Sequence, residues 1–116
     1  MAISTIQDEM LEDNQGVCKA WVNFDGTGTV AIRDSFNVTS ITDNATADYT
    51  VNFTNALANA DYTACLSVGD TGSTTGQSSR GIAPRDYAVG SLRFHVMTGT
   101  GSAIDYTNLN VAIFGD

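Results

Sequence analysis

Over most of the chain after residue 17, apolar and polar side chains alternate with a period of two. This is the period of a β-strand that buries one face, because successive side chains of an extended backbone point to opposite sides. In DYTVNF the alternation places Tyr49, Val51 and Phe53 on one face. The same pattern occurs in VCKAWVNF, DYTACLSV, SLRFHVM and NLNVAIF, and FNVTSIT at 36–42 is a further strand with mixed faces.

Segments that favour tight turns separate these strands. The stretches DGTG at 25–28, TDNATAD at 42–48, NALANAD at 55–61 and GTGSAID at 99–105 supply Gly, Asn or Asp for unusual backbone angles. No helical segment long enough for a crossover between parallel strands lies among them. The 116 residues are the size of a single domain. The sequence therefore predicts an all-β fold, a small antiparallel β-sandwich or jelly roll of six to eight short strands.

The first 16 residues have a different pattern. Ser4 and Gln7 match a capping box, and Ile3, Ile6 and Met10 approximate a helical stripe. A helix this short is marginal in water unless it packs against something else. We interpret residues 1–16 as a short helix or extended arm used for attachment or oligomerisation, and residues 17–116 as the sandwich domain.

The charge of the chain excludes some partners. Thirteen acidic and five basic residues give a formal net charge of −8, which repels phosphate backbones and argues against nucleic-acid binding. No apolar run is long enough to span a membrane, and the N-terminus lacks the basic start and apolar stretch of a secretory signal. We expect a chain that is made in a cytoplasm and does not insert into a membrane.

The sequence contains no recognisable catalytic or metal-binding set. His95 is the only histidine, no GxSxG nucleophile elbow occurs, and Cys18 and Cys65 lack the spacing of a zinc site. We interpret His95 as a strand histidine and the two cysteines as buried small thiols rather than a disulfide. The prediction is a protein that is not an enzyme and carries no cofactor or metal.

The stretch GDTGSTTGQSSRG at 69–81 contains four glycines and no large apolar side chain. It predicts a surface loop, and loops of this length are either functional or simply flexible. Both interpretations stay open. If the loop is functional, Asp70, Arg80 and the nearby Arg85 are the expected contacts to a glycan or protein on a host surface.

Residues 18–57, which contain the KAWVNF run, a GT-rich turn and the DYTVNF strand, resemble a segment at the C-terminal end of tail-fibre and related virion proteins of tailed bacteriophages. The resemblance extends less clearly through DYTACLSVG. It implies a structural, non-enzymatic domain of a virus particle, often trimeric and often exposed to the host. Expected partners are other copies of the chain and other virion proteins.

Several apolar side chains are predicted to point away from the core of a single sandwich. They form the expected subunit interface: Ile3, Ile6, Met10, Trp21, Met97 and Phe114. We predict a homotrimeric tail-fibre or fibre-tip component that contacts the host surface, with a capsid decoration or cement protein as the alternative. A surface polysaccharide depolymerase is a third class, which would require paired carboxylates in a cleft.

Overall fold

The computed structural model describes residues 16–69, 80–98 and 104–116. The strands are β1 (Cys18–Asp25), β2 (Ala31–Phe36), β3 (Val38–Ala45), β4 (Asp48–Phe53), β5 (Thr63–Val68), β6 (Arg80–Ala88), β7 (Ser91–Thr98) and β8 (Leu109–Phe114). They form two four-stranded antiparallel sheets, sheet A with the order β2-β1-β8-β5 and sheet B with the order β3-β4-β7-β6. The predicted β-sandwich is confirmed. The predicted N-terminal helix or arm lies outside the described residues.

The core lies between the two sheets and is built from the inward positions of the alternating strands. Three aromatic rings, those of Phe24, Tyr49 and Phe94, meet at its centre with centroids 5.3 to 6.1 Å apart. Such edge-on and tilted contacts add to the area that the rings bury. The predicted common face of Tyr49, Val51 and Phe53 in β4 is buried, and the alternation of β1, β7 and β8 likewise buries one face of each strand, with these residues in the core: Ala20, Val22, Phe24, Leu92, Phe94, Val96, Leu109, Val111 and Ile113.

A corner at Asn37 joins the sheets at one side. Asn37 is the only residue between β2 and β3, and its backbone has a φ of 58°. Asparagine tolerates this left-handed conformation better than most side chains. Its side-chain amide donates to the carbonyl of Lys19 at 3.1 Å and accepts from the backbone N–H of Asn55 at 2.8 Å. These bonds hold the chain where it passes from the edge of sheet A to the edge of sheet B.

A hydrogen-bonded group closes one end of the core. The Tyr49 hydroxyl lies 2.5 Å from Asp105 Oδ1 and 2.9 Å from the carbonyl oxygen of Gly26. Asp105 Oδ1 also accepts from the backbone N–H of Ala47 at 2.7 Å. Burial, together with the hydrogen bond to Asp105, raises the pKa of Tyr49 far above its ordinary value. The phenol is therefore a neutral donor that ties the strands of both sheets to the connection before β8.

The edge strand β6 begins earlier than the sequence pattern indicated. Arg80 and Gly81, which we assigned to the loop at 69–81, pair with β7 as part of β6. Residues 70–79 lie outside the described residues. Pro84 lies within β6, beside a bulge between Pro84 and Asp86. Because β6 is at the edge of sheet B, the missing N–H of the proline removes no bond that a central strand would need.

Candidate functional site on the outer face of sheet A

Strand register aligns four apolar side chains across the outer face of sheet A. Trp21 of β1 pairs with Phe36 of β2 on one side and with Ala112 of β8 on the other, and Ala112 pairs with Cys65 of β5. We call Phe36, Trp21, Ala112 and Cys65 the apolar row. Trp21 is 36% exposed and Phe36 is 53% exposed. The row is an aromatic surface that the described part of the chain leaves open to solvent.

A polar row runs parallel to it, two residues further along each strand. Asn23 of β1, Asn110 of β8 and Ser67 of β5 are cross-strand neighbours and make up this row, and Asp34 of β2 pairs with Asn23 at its outer end. Asparagine is depleted in strands, since its side chain gains little from packing on a pleated surface. Two asparagines side by side in central strands are therefore a feature that packing alone does not explain.

A shallow groove of about 430 Å³ lies between the rows, lined from the apolar row by Trp21, Ala112 and Cys65 and from the polar row by Asn23, Asn110 and Ser67. Ala112 lies between Trp21 and Cys65 in the apolar row, so the small methyl group forms a low point between larger neighbours. None of the residues that line the groove carries a charge. The volume lies in the range of small-molecule sites, roughly 300–1,000 Å³.

Hydrogen bonds fix the orientation of the two amides in the polar row. Arg33 Nη1 donates to Asn23 Oδ1 at 3.2 Å, and Arg33 Nη2 donates to the carbonyl oxygen of Thr107. Because its oxygen faces Arg33, Asn23 directs its Nδ2 to Asn110 Oδ1. Among the described residues, neither Asn110 Nδ2 nor the Ser67 hydroxyl has a side-chain hydrogen bond. The Asn110 amide nitrogen is therefore an oriented donor that no described residue of the chain satisfies.

Arg33 is held in turn by the β1–β2 turn. Asp25 Oδ2 lies 4.0 Å from Arg33 Nη2. The hydroxyl and backbone N–H of Thr27 donate to Asp25 at 2.6 and 2.8 Å and, with a smaller effect of Arg33, hold the pKa of that carboxyl below its usual range. Asp25 is therefore a carboxylate at neutral pH, and it positions the guanidinium that orients Asn23.

The outer face of sheet B is polar, and many of its side chains bond one another. Asp48 accepts from Arg93 Nε at 2.9 Å and Arg93 Nη2 at 2.6 Å, and this pairing lowers the pKa of Asp48. Asn52 donates to Ser40 and Thr42 at 3.2 and 2.9 Å. These side chains are therefore paired within the face and are not available to a ligand without breaking an existing bond.

The structure separates the predicted host contacts. Asp70 lies outside the described residues. Arg80 and Arg85 are both in β6, five positions apart, which corresponds to roughly 15 Å along a strand. Arg85 is exposed and lies 3.4 Å from Asp48 Oδ2, so it belongs to the ion-paired group of sheet B. The structure therefore places these two positions well apart along β6.

The predicted interface residues lie on two faces. Trp21 and Phe114 are on the outer face of sheet A, whereas Met97 of β7 is on the outer face of sheet B. Phe114 and Met97 are both half-buried. Ile3, Ile6 and Met10 lie outside the described residues. The role of all six residues in a subunit interface stays a prediction.

The interpretation of the cysteines is half correct. Both are free, but Cys65 is exposed rather than buried, and Cys18 is half-buried with its Sγ 3.2 Å from the carbonyl oxygen of Ala20. Cys65 follows the alternation of β5, which turns its side chain away from the core. The position of Cys65 in the alternating pattern of β5 predicts its exposure better than the general tendency of cysteine to be buried.

The described residues contain no group of three His, Cys, Asp or Glu side chains placed to hold a metal ion. His95 is half-buried in β7 and pairs in register with Asp48. Over the same residues, no helix is long and apolar enough to cross a membrane.

The chain matches no protein-family model, no curated protein and no solved structure. The predicted resemblance of residues 18–57 to tail-fibre segments therefore stays a prediction. Sequence reasoning placed Trp21 on an outward face but missed Phe36, Asn23, Asn110 and Ser67. The only local signal was the presence of asparagine at outward positions of two strongly alternating strands.

Proposed function

We propose that this chain is a non-enzymatic structural protein of a tailed-phage particle, a homotrimeric fibre or fibre-tip component that contacts the host surface. The observation that carries the proposal is the uncharged groove on the outer face of sheet A, with the exposed indole of Trp21 and with donors that no described side chain bonds. The motifs of residues 18–57 support the phage assignment by resemblance.

The contrast between the two outer faces supports a recognition role for sheet A. Polar side chains that already bond one another gain little from a ligand, because each new bond replaces one that exists. This is the situation of Asp48, Arg93 and Asn52 on sheet B. Asn110 and Ser67 on sheet A can gain bonds without losing any within the described chain.

A trimer is compatible with interface residues on two faces. A closed three-fold ring uses a heterologous interface, in which one patch of a subunit contacts a different patch of the next. Phe114 and Met97 lie on opposite sheets and are candidates for the two patches. Sedimentation equilibrium of the purified chain is expected to give three times the 12.2 kDa mass of one chain.

A capsid decoration protein is the second candidate. The pairing of Phe36 with Trp21 forms a continuous aromatic strip from the edge of sheet A toward its middle, which a shell protein could also cover. Copy number distinguishes the two functions. A fibre component is present in few copies per particle, whereas a decoration protein approaches the copy number of the capsid protein.

Two measurements test the proposal. Quantitative mass spectrometry of purified particles is expected to find the chain at low copy number. Purified chain is expected to compete with the phage for adsorption to host cells. Absence of the chain from particles contradicts the whole proposal, and a high copy number without competition favours the decoration function.

A further inference from the structure

We propose that the groove between the apolar and polar rows binds a neutral glycan, with a sugar ring packed on the indole of Trp21 and hydroxyls bonded by Asn110 and Ser67. The inference rests on the proposed host-contact function and names the ligand class for it. It follows from three independent properties of the groove, which are the exposed indole of Trp21, the donors that no described side chain bonds, and the absence of charged lining residues.

The exposed indole of Trp21, which forms the aromatic wall of the groove, can pack against a sugar ring. The face of an indole carries partial negative charge and attracts the weakly positive C–H groups on the apolar face of a pyranose. Trp21 is partly exposed beside the low position of Ala112. A ring packed on the indole therefore fits above Ala112 without displacing a core side chain.

The polar row offers the bonds that sugar hydroxyls require. Arg33 donates to the oxygen of Asn23, and the amide nitrogen of Asn23 donates to the oxygen of Asn110. The amide nitrogen of Asn110 is thereby an oriented donor, and Ser67 adds a hydroxyl that can donate or accept. A purely apolar ligand would bury these groups without partners, at a cost in affinity. The register places the donors two residues from the aromatic row, on the same face of the sheet.

The uncharged groove and the negative net charge of the chain favour neutral glycans over acidic ones. The groove has no charged lining residue, and the chain carries a net charge of −8. A sugar acid would approach a negative protein and find no cation in the groove to pair with. We therefore infer a neutral hexose or N-acetylhexosamine.

The experiment uses the fluorescence of Trp21, which is the only tryptophan of the chain. The full chain is titrated with maltotriose, a mannotriose, a galactose-terminated trisaccharide and chitotriose. At least one is expected to change the emission saturably. Ala112→Leu, which fills the groove, and Asn110→Asp, which replaces the free donor by an acceptor, are each expected to weaken that binding about tenfold or more, a loss of about 1.4 kcal/mol.

Thr50→Val on sheet B is the matched control, because it also removes an outward polar group of a central strand, and it should leave binding unchanged. Circular dichroism verifies that each variant is folded. The inference is overturned if none of the four sugars changes the emission. It is also overturned if the indole of the wild-type chain is shielded from acrylamide by association with a second copy.

A competition assay separates this inference from the proposed function. If Ala112→Leu blocks phage adsorption as well as the wild-type chain does, the groove is not the glycan site and the host-contact function stands. If neither protein blocks adsorption while sugars still bind, the glycan inference stands and the fibre assignment fails.

Discussion

The outer faces of the two sheets differ although both sheets are four-stranded and share one core. On sheet B, the side chains of Asp48, Arg93 and Asn52 are already bonded to neighbouring side chains. On sheet A, Trp21 and Asn110 lie in a groove where, among the described residues, no side chain bonds the Asn110 amide nitrogen. The comparison teaches that polarity alone does not mark a binding face, since polar groups recognise a ligand only where the protein leaves them unpaired.

Both outer faces depend on one rigid core, and Gly26→Ala is predicted to disrupt the packing of that core. A Cβ at this position would lie 2.4 Å from the Tyr49 hydroxyl oxygen and 2.7 Å from Leu109 Cδ1. Displacing Tyr49 also disturbs its hydrogen bond to Asp105. We expect the free energy of unfolding to fall by about 3 kcal/mol in chemical denaturation, from overpacking and the lost bond together.

Gly90→Ala is the matched control, because nothing lies within 4 Å of a Cβ at Gly90 in the β6–β7 turn. We expect a change of no more than about 0.5 kcal/mol. Equal losses in the two variants would show that glycine flexibility, rather than the close packing at Gly26, determines the result.

The central strands were predictable from the sequence and two of the edge strands were not. Strands β1, β4, β7 and β8 occupy the middle of their sheets and bury one face, so they alternate clearly. Strand β2 has mostly exposed side chains, and β6 contains Pro84 and a bulge, so neither shows the alternation. An edge strand is stabilised by backbone pairing with its neighbour, which a local pattern does not encode.

The candidate site was predictable only in part, for a related reason. The alternation of β1 turned Trp21 outward, but nothing local indicated that Asn23, Asn110 and Ser67 are neighbours. Their meeting depends on the strand order β1-β8-β5, which brings together residues from near both ends and from the middle of the chain.

Asp48→Asn is predicted to weaken sheet B without changing the groove of sheet A. The substitution removes the ion pair with Arg93, whose side chain is 36% exposed, so we expect a loss of only about 1 kcal/mol. Arg93 depresses the pKa of Asp48 in the folded state. The stabilisation is therefore complete above about pH 5 and declines as the pH falls below about 4, where the unfolded carboxyl has already gained its proton.

Thermal unfolding of the wild type and Asp48→Asn between about pH 3 and 7 measures this effect. The difference between the two proteins should be largest at neutral pH and shrink in acid. A difference that is constant with pH would mean that the geometry of the Asp48 side chain, and not its charge, stabilises sheet B.

Phe36→Thr is predicted to leave the fold nearly unchanged while removing part of the aromatic strip of sheet A. The ring is 53% exposed on an edge strand, and threonine suits a strand, so the free energy of unfolding should change by about 0.5 kcal/mol or less. Denaturation at two protein concentrations is the measurement. A loss above about 2 kcal/mol that grows with concentration would show that a second copy covers this face.

Cys65 provides the smallest perturbation of the groove, because its modification should change reactivity and not stability. The thiol is exposed in the apolar row, whereas Cys18 is half-buried with its Sγ directed at the carbonyl oxygen of Ala20. A thiol-reactive chromophore is therefore expected to label one cysteine per chain quickly and the other slowly, because access limits the attack. Cys65→Ser should remove the fast phase, and Cys18→Ser should retain it.

A bound sugar should slow the labelling of Cys65 alone, since Cys65 lies across Ala112 from Trp21 and shares the groove with it. Fast labelling of Cys65 that a saturating sugar leaves unchanged would place the ligand elsewhere and remove the distinction between the two faces.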